Sequence, residues 1–316
     1  MLNIFTLEHG RLVNILPDEI QNRKPIWVDI IAPSEEERTW VTTTFAITLP
    51  HPEHLRDIEE SARFYEENEE LHVRSDFLRG METDSLSVIV AFVLSRNVLF
   101  SVHDQDLPLF RLFRQRTQGH PELIEDSLDV LIDLYGYDVE FSADALEEVY
   151  VELGSIGNRV LNTTLGDKEA AAVLATIAHS EYLNGRVRRN LMDTRRAISF
   201  LMRSKLLKHN QLDEARQTIQ DIDSLDGHTA FLFDKINFLM NTTVGFINVN
   251  QNKVVRLFSV AAVALLPPTL IASIYGMNFK NMPELQWEYG ELFALLLMVL
   301  SVAIPFWMFH RKGWLK

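Results

Sequence analysis

The sequence contains no cysteine. Disulfides and thiolate metal sites are therefore excluded, and any metal chemistry must use oxygen or imidazole ligands. Met1 to Arg11 lacks a basic stretch followed by an apolar run. This predicts no cleavable signal and a cytoplasmic N-terminal domain. A glycine-rich Lys-Ser/Thr loop is also missing, so no ATP-binding site of that kind is indicated. No nucleophile, base and orienting group converge along the chain, which argues against an enzyme and predicts no organic cofactor. Positive charge is the minority: 30 Lys and Arg stand against 44 Asp and Glu, a net −14. From Asn250 onward six basic residues face three acids, a balance of +3, so the preceding part carries −17. An acidic body argues against nucleic acid as a partner and suits a protein that meets cations.

Residues 1–121 read as an α/β domain with a mixed or antiparallel sheet. Ile26–Ile30, Leu71–Ser75, Ser87–Leu94 and Val98–Val102 are rich in β-branched and aromatic residues, as strands are. Arg96-Asn97 is the hairpin turn between the last two. Ser34 and Glu37 form a capping box that opens a helix. Residues 122–211 read as a helical hairpin, with helices over Glu122–Leu161 and Ala170–Leu207 and a break at His209-Asn210. Residues 212–253 read as a stalk helix, on which Leu225, Leu232, Leu239 and Phe246 repeat every seven positions beside Ile222 and Ile236. Such a seam packs on another helix. The pair His51 and His54 does not match a zinc-protease spacing and reads as a surface loop.

Two apolar segments close the chain. Residues 254–274 hold one charge, Arg256 in the first turn, and residues 292–309 hold none. Each is long enough to cross a bilayer of about 30 Å. Lys253 and Arg256 flank the first, and His310, Arg311 and Lys312 follow the second in the basic tail 310–316. Positive residues stay inside, so both termini are expected in the cytoplasm and the loop 275–291 outside. The first segment is the less apolar. At helical steps it carries Asn252, Val255, Ser259, Ala262, Leu266, Thr269 and Ser273, a face suited to lining a pore or to close helix packing. Two helices cannot enclose a pore, so a conducting reading requires an oligomer.

Tyr275-Gly276-Met277-Asn278 ends the first span, and Met282-Pro283-Glu284-Leu285 follows. Here the chain resembles the CorA magnesium/cobalt transporter family, which is marked by a Gly-Met-Asn triplet and a Met-Pro-Glu-Leu loop in these places. The resemblance implies an α+β cytoplasmic domain, a long stalk helix and two C-terminal transmembrane helices, in a funnel-shaped homopentamer of the inner membrane. It implies channel-like uptake of magnesium, with cobalt as a further ion and nickel as a candidate, gated by cytoplasmic magnesium; an inside-negative membrane potential suffices to drive a dication inward. The alternatives are a zinc or other transition-metal transporter on the same fold, or a membrane-anchored scaffold without a pore. Besides lipid and divalent cations, the partner implied is the chain itself.

Carried over by residue, the family's selectivity filter falls on Tyr275, Gly276, Met277 and Asn278. Its pore lining and gate fall on Asn252, Val255, Phe258, Ala262, Leu266 and Thr269; this register puts Phe258 inward rather than Ser259, two neighbours that helical spacing alone does not separate. A ring of Asn278 amide oxygens and Gly276 carbonyls can hold a hydrated magnesium ion, which gives up water reluctantly, without the deep well of carboxylates. The triplet also reads as a helix C-cap with left-handed Gly and Asn. In the loop Glu284 supplies negative charge, which Lys280 partly offsets. Magnesium is also the regulatory ion in the family. Acids that repel across a subunit interface until a dication bridges them are Asp213, Glu214, Asp221, Asp223 and Asp226 on the stalk, with Asp104 and Asp106 facing. The family's stalk sensor acid falls here on Gln217.

Overall fold

The computed structural model describes residues 1–50, 63–80, 87–119, 124–162, 166–277 and 287–313. A seven-stranded sheet forms the N-terminal part, in the order β2-β1-β3-β7-β6-β5-β4. Its strands are β1 (Leu2–Glu8), β2 (Arg11–Ile15), β3 (Pro25–Ile31), β4 (Phe64–Glu67), β5 (Glu70–Leu78), β6 (Ser87–Ser95) and β7 (Val98–His103). Three antiparallel hairpins turn on two left-handed residues each: His9-Gly10, Asn68-Glu69 and Arg96-Asn97. Paired left-handed residues give the turn whose twist matches that of the flanking strands. One parallel pairing, β3 with β7, joins the halves and makes the sheet mixed.

Alternation along β3 divides the core between two faces. Val28 and Ile30 join Ile4, Phe100 and Val102 in one cluster, which includes Val41 of α1 (Glu35–Phe45). Trp27 points the other way, stacked on Phe5 at 4.8 Å and edge-on to Phe110 and Phe113 of α2 (Pro108–Gly119) at 5.8 and 5.7 Å. At its start α1 has the expected capping box: the Glu37 N–H donates to Ser34 Oγ at 3.2 Å, and the Ser34 N–H donates to Glu37 Oε2 at 3.0 Å. Ser34→Ala is expected to lower stability by about 1 kcal/mol; a change in the denaturation midpoint indistinguishable from zero would count against the cap.

Three long helices follow: α3 (Ser127–Asn162), α4 (Asp167–Arg203) and α5 (His209–Tyr275). Three expected boundaries need correction. Helix α3 begins at Ser127 rather than Glu122: residues 124–126 are not helical, and the Glu125 and Asp126 N–H groups donate to Asp129 Oδ2 at 2.7 and 3.1 Å. The break before α5 lies at residues 204–208, where Lys205 is left-handed, while His209 and Asn210 are already helical. Gln211 fixes the start, since its side-chain oxygen accepts the Lys208 N–H at 2.9 Å. On α4, Gly166 rather than Ala170 marks the entrance, its N–H held by Glu169 Oε2 at 3.1 Å and its carbonyl accepting the Ala170 N–H. On α5, Ile222, Leu232, Ile236 and Leu239 are buried; Phe246, expected in the same seam, is 41% exposed.

The chain divides into two compact units. The first comprises residues 1–163 and 172–240; the second comprises 164–171 and 241–316. The second holds the later part of α5 and α6 (Gly290–Arg311). Both are long and apolar enough to cross a membrane, and almost none of either apolar stretch is buried within the chain.

A buried polar network sits inside the first unit. Asp138 of α3 accepts from Asn190 Nδ2 at 2.7 Å and Thr194 Oγ1 at 3.0 Å, both on α4, and from the Leu78 N–H at 3.4 Å. Burial pushes its carboxyl from 3.8 up to about 7, against those hydrogen bonds, and the Asp193 charge adds to the rise. Arg63 draws Asp193 away by an ion pair at 2.8 Å. A carboxylate with a raised folded pKa contributes stability that is fully present below its unfolded value and is lost as pH rises through the folded one. Stability should therefore fall between about pH 4 and 7. Asp138→Asn should make that fall shallower, as read from urea midpoints across the range. An unchanged slope would remove Asp138 as its source.

Candidate functional site

In the second unit, Asn252, Val255, Phe258, Ser259, Ala262, Leu266, Thr269 and Ser273 are all exposed on α5. Phe258 is 73% exposed and Leu266 67%, values incompatible with the core of a soluble single chain. Two hydroxyls turn back on their own helix: Ser259 Oγ donates to the Val255 carbonyl at 2.9 Å, and Thr269 Oγ1 donates to the Leu265 carbonyl at 2.7 Å. Each proton is thus engaged, and each hydroxyl presents only oxygen lone pairs outward. Pro267 and Pro268 stand inside the helix. Lacking N–H groups, they release the carbonyls of Val263 and Ala264 from helical bonds.

Helix α5 ends at Tyr275. The Gly276 N–H still reaches the Ala272 carbonyl at 2.9 Å, and the Met277 N–H reaches that of Ile274 at 3.2 Å. Gly276 is not left-handed, contrary to the simple cap expected as one reading. A Cβ there would lie 3.2 Å from the Ala272 carbonyl oxygen, so any larger residue crowds the last turn. Asn278, Lys280 and Glu284 lie outside the described residues. So do His51, His54 and Lys316. On α6, Trp307 carries the Arg311 guanidinium over its ring at 5.4 Å, and Trp287 lies 5.9 Å from Phe293. Aromatic rings with cations beside them are typical of membrane–water boundaries.

The regulatory candidates belong to the first unit, and several already hold cations. Asp213 pairs with Arg216 at 2.8 Å and with His209 at 3.7 Å; Asp223 pairs with Arg195 at 2.6 Å, and Asp106 with Arg111 at 3.1 Å. All these pairs are exposed, and exposed pairs contribute only about 0–1 kcal/mol. A dication could displace such partners. Asp104 is exposed, and Asp226 binds Arg188 at 3.1 Å.

Glu214 and Asp221 come together differently. With Asp133 and Glu140 of α3 they line a groove of about 500 Å³ that also holds Gln217. Gln217 donates to Asp221 Oδ1 at 3.1 Å. Burial, then the Glu214 and Asp129 charges, pushes the Asp133 carboxyl up to about 7. Burial, followed by the Asp129 charge, also raises Glu214. Asp133 and Glu140 escaped the sequence reading. Their signal is a charge set in the apolar run Leu131-Ile132-Asp133-Leu134. Among the described residues, no three acid or histidine side chains gather to hold a metal within one chain.

A model for CorA-like Mg2+ transporter proteins matches residues 22–311. The chain is 43% identical to the magnesium transport protein CorA of Pasteurella multocida, over 319 aligned positions covering 100% of both. It is 38% identical to that of Escherichia coli K12, again over 100% of both chains. The chain belongs to the CorA family. Among solved structures, that of the CorA magnesium transporter from Methanocaldococcus jannaschii superposes with a TM-score of 0.80 at 18% identity, covering 99% of this chain and 98% of that one. The ZntB cytoplasmic domain of Vibrio parahaemolyticus shares the fold, with a TM-score of 0.59 at 11% identity, covering 78% of this CorA chain and 97% of its own. The N-terminal α+β domain, the long helix and the two apolar C-terminal helices of the CorA fold are thus all present. CorA proteins are transporters, not enzymes.

Proposed function

We propose that this CorA chain is a channel-like magnesium transporter of the inner membrane, working as a homopentamer with the later part of α5 around the axis. One observation carries the reading: the Gly276-Met277-Asn278 triplet follows an exposed apolar helix, in a chain related along its whole length to magnesium transport proteins. The filter binds the ion through its water shell. Asn278 and the carbonyl of Gly276 accept hydrogen bonds from that water, and Ser259 and Thr269 offer lone pairs of the same polarity further in. Val255, Phe258 and Leu266 form an apolar constriction that closes by dewetting. Cobalt and nickel, dications of similar coordination, follow the same path.

Both termini are cytoplasmic, as the basic flanks require. A dication then gains about 4.6 kcal/mol on entering a cell held at 100 mV inside-negative, so no energy-supplying reaction is needed. Cytoplasmic magnesium bridges the acids of neighbouring subunits and favours the closed state. Glu214 and Asp221 serve here with Asp133, around the Gln217 that replaces the family's sensor acid.

The test is magnesium flux into liposomes holding the purified protein, under an imposed potassium diffusion potential. Uptake should rise as the inside becomes more negative, and cobalt and nickel should compete. Zinc uptake without magnesium uptake would move the reading to a transition-metal transporter. No divalent flux from an intact oligomer freed of magnesium would favour a scaffold.

A further inference from the structure

The last half of α4 carries Arg186, Arg188, Arg189, Arg195, Arg196 and Arg203 in a chain of net charge −14, and the transport reading gives them no task. Four arginines wall one concave groove of about 660 Å³: Arg188, Arg189 and Arg196 of α4, and Arg63 just before β4. Gly185, Met192 and Asp193 complete its lining. Asp193, the one acid among the described residues of the lining, is taken by Arg63 at 2.8 Å. The other three cations are incompletely used. Arg188 spends its Nε on Asp226 at 3.1 Å, leaving its two terminal nitrogens. For Arg189 the nearest carboxylate among the described residues, Asp76, is at 3.9 Å, beyond hydrogen-bond distance. Among the described residues, the Arg196 side chain has no ion pair within 4 Å and no hydrogen bond, and its charge acts on Asp193 only through space.

Two features suit the lining to a ligand. Met192 is 50% exposed and offers an apolar surface. At Gly185 an added Cβ would meet nothing within 4 Å, so the helix backbone lies open there. Glycine inside a helix costs about 1 kcal/mol relative to alanine, and here it adds no side chain to the lining. Planar guanidinium forks match phosphate oxygens, and the volume falls in the range of small-molecule sites, about 300–1,000 Å³.

We propose that this groove binds the phosphate groups of a small polyphosphate anion, of the size of a nucleoside di- or triphosphate, with Arg188, Arg189 and Arg196 as the anion ligands. It is a side-chain site without a glycine-rich loop, which is why no sequence motif announces it. The inference is independent of the transport reading.

Calorimetry on the full-length protein in detergent, without magnesium and at low ionic strength, tests it with ATP, tripolyphosphate and inorganic phosphate. ATP and tripolyphosphate should bind saturably, and phosphate at least about tenfold more weakly, since fewer forks are engaged. Higher salt should weaken all three. Arg189→Gln/Arg196→Gln should reduce ATP affinity at least about tenfold, and Gly185→Leu should do so by filling the groove. The remote exposed pair Arg11→Gln/Lys24→Gln, with the same change in charge, should leave it within about twofold. Equal affinity for ATP and tripolyphosphate assigns binding to the phosphate chain, and tighter ATP binding adds the nucleoside on Met192; both support the site. Equal loss in the remote variant overturns it, leaving only the general field. Absence of saturable binding also overturns it. If the Arg189/Arg196 variant then breaks up the oligomer, the groove instead seats acids of a neighbouring chain.

Discussion

Asn278→Ala is expected to lower magnesium flux into liposomes at least about tenfold, with the oligomer intact and the thermal midpoint unchanged. Ion binding at a pore entrance must be favourable enough to admit the ion and weak enough to release it. In the proposed pentamer five amide oxygens would meet that demand for a hydrated dication, whereas five methyl groups would offer its water nothing. Asn278→Asp should differ in kind, holding the ion more tightly and passing it more slowly, since carboxylates deepen the well. Flux that survives the alanine change would reduce Asn278 to a helix end. The stability control matters because Gly276, two residues earlier, closes the last turn against the Ala272 carbonyl.

The second large effect is expected far from any pore. Asp29 of β3 is fully buried and takes Ser101 Oγ at 2.7 Å, His103 Nε2 at 2.9 Å and an Arg114 guanidinium at 3.0 Å. The indole N–H of Trp27 donates to the same Ser101 hydroxyl at 2.9 Å. Removing one partner of a buried pair leaves the other charge uncompensated, so Asp29→Ala should cost about 3–5 kcal/mol. Fluorescence-detected unfolding would measure it, and a loss under about 1 kcal/mol would mean that water relieves the stranded cations. The network also has a pH signature. Burial pulls the His103 imidazole down, but the hydrogen bond and charge of Asp29 outweigh it and raise it above 6.5. Its contribution is fully present below 6.5 and is lost as pH rises through the higher folded value.

How far the sequence revealed these features depended on range. Ser34 and Glu37 lie three positions apart, and their capping box was legible because both halves are local. The Arg96-Asn97 turn and the two apolar helices were legible for the same reason. Strands β1, β2 and β4 were passed over, though Asn68-Glu69 closes its hairpin just as Arg96-Asn97 does. Asn-Glu is a weak turn signal, and β4 is short. The Asp29 network could not be read, since its members lie 72 to 85 positions apart. The seam on α5 was right at Leu232 and Leu239, only half-buried at Leu225, and lapsed at Phe246, because a heptad shows which face is apolar but not how far its partner extends. On the site itself, the triplet and the polar face of the first span came from position and composition. Asp133 was missed because one carboxylate inside an apolar run becomes informative only when Glu214 is found opposite.

The sheet's connectivity also bears on how the chain reaches its native state. Three hairpins with two-residue turns close between near neighbours and can form within about 1–10 μs. The parallel pairing of β3 with β7 cannot, because it brings together positions such as Trp27 and Ser101 that are 74 residues apart. Closing so long a loop costs entropy before any contact compensates for it. The hairpins are therefore expected to form first and the two halves to join last at Asp29 and Trp27, so that Asp29 variants should speed unfolding more than they slow folding. During synthesis β3 can pair with β1 and Trp27 can stack on Phe5, but the other faces of that ring stay uncovered until Phe110 and Phe113 of α2 have followed β7 out.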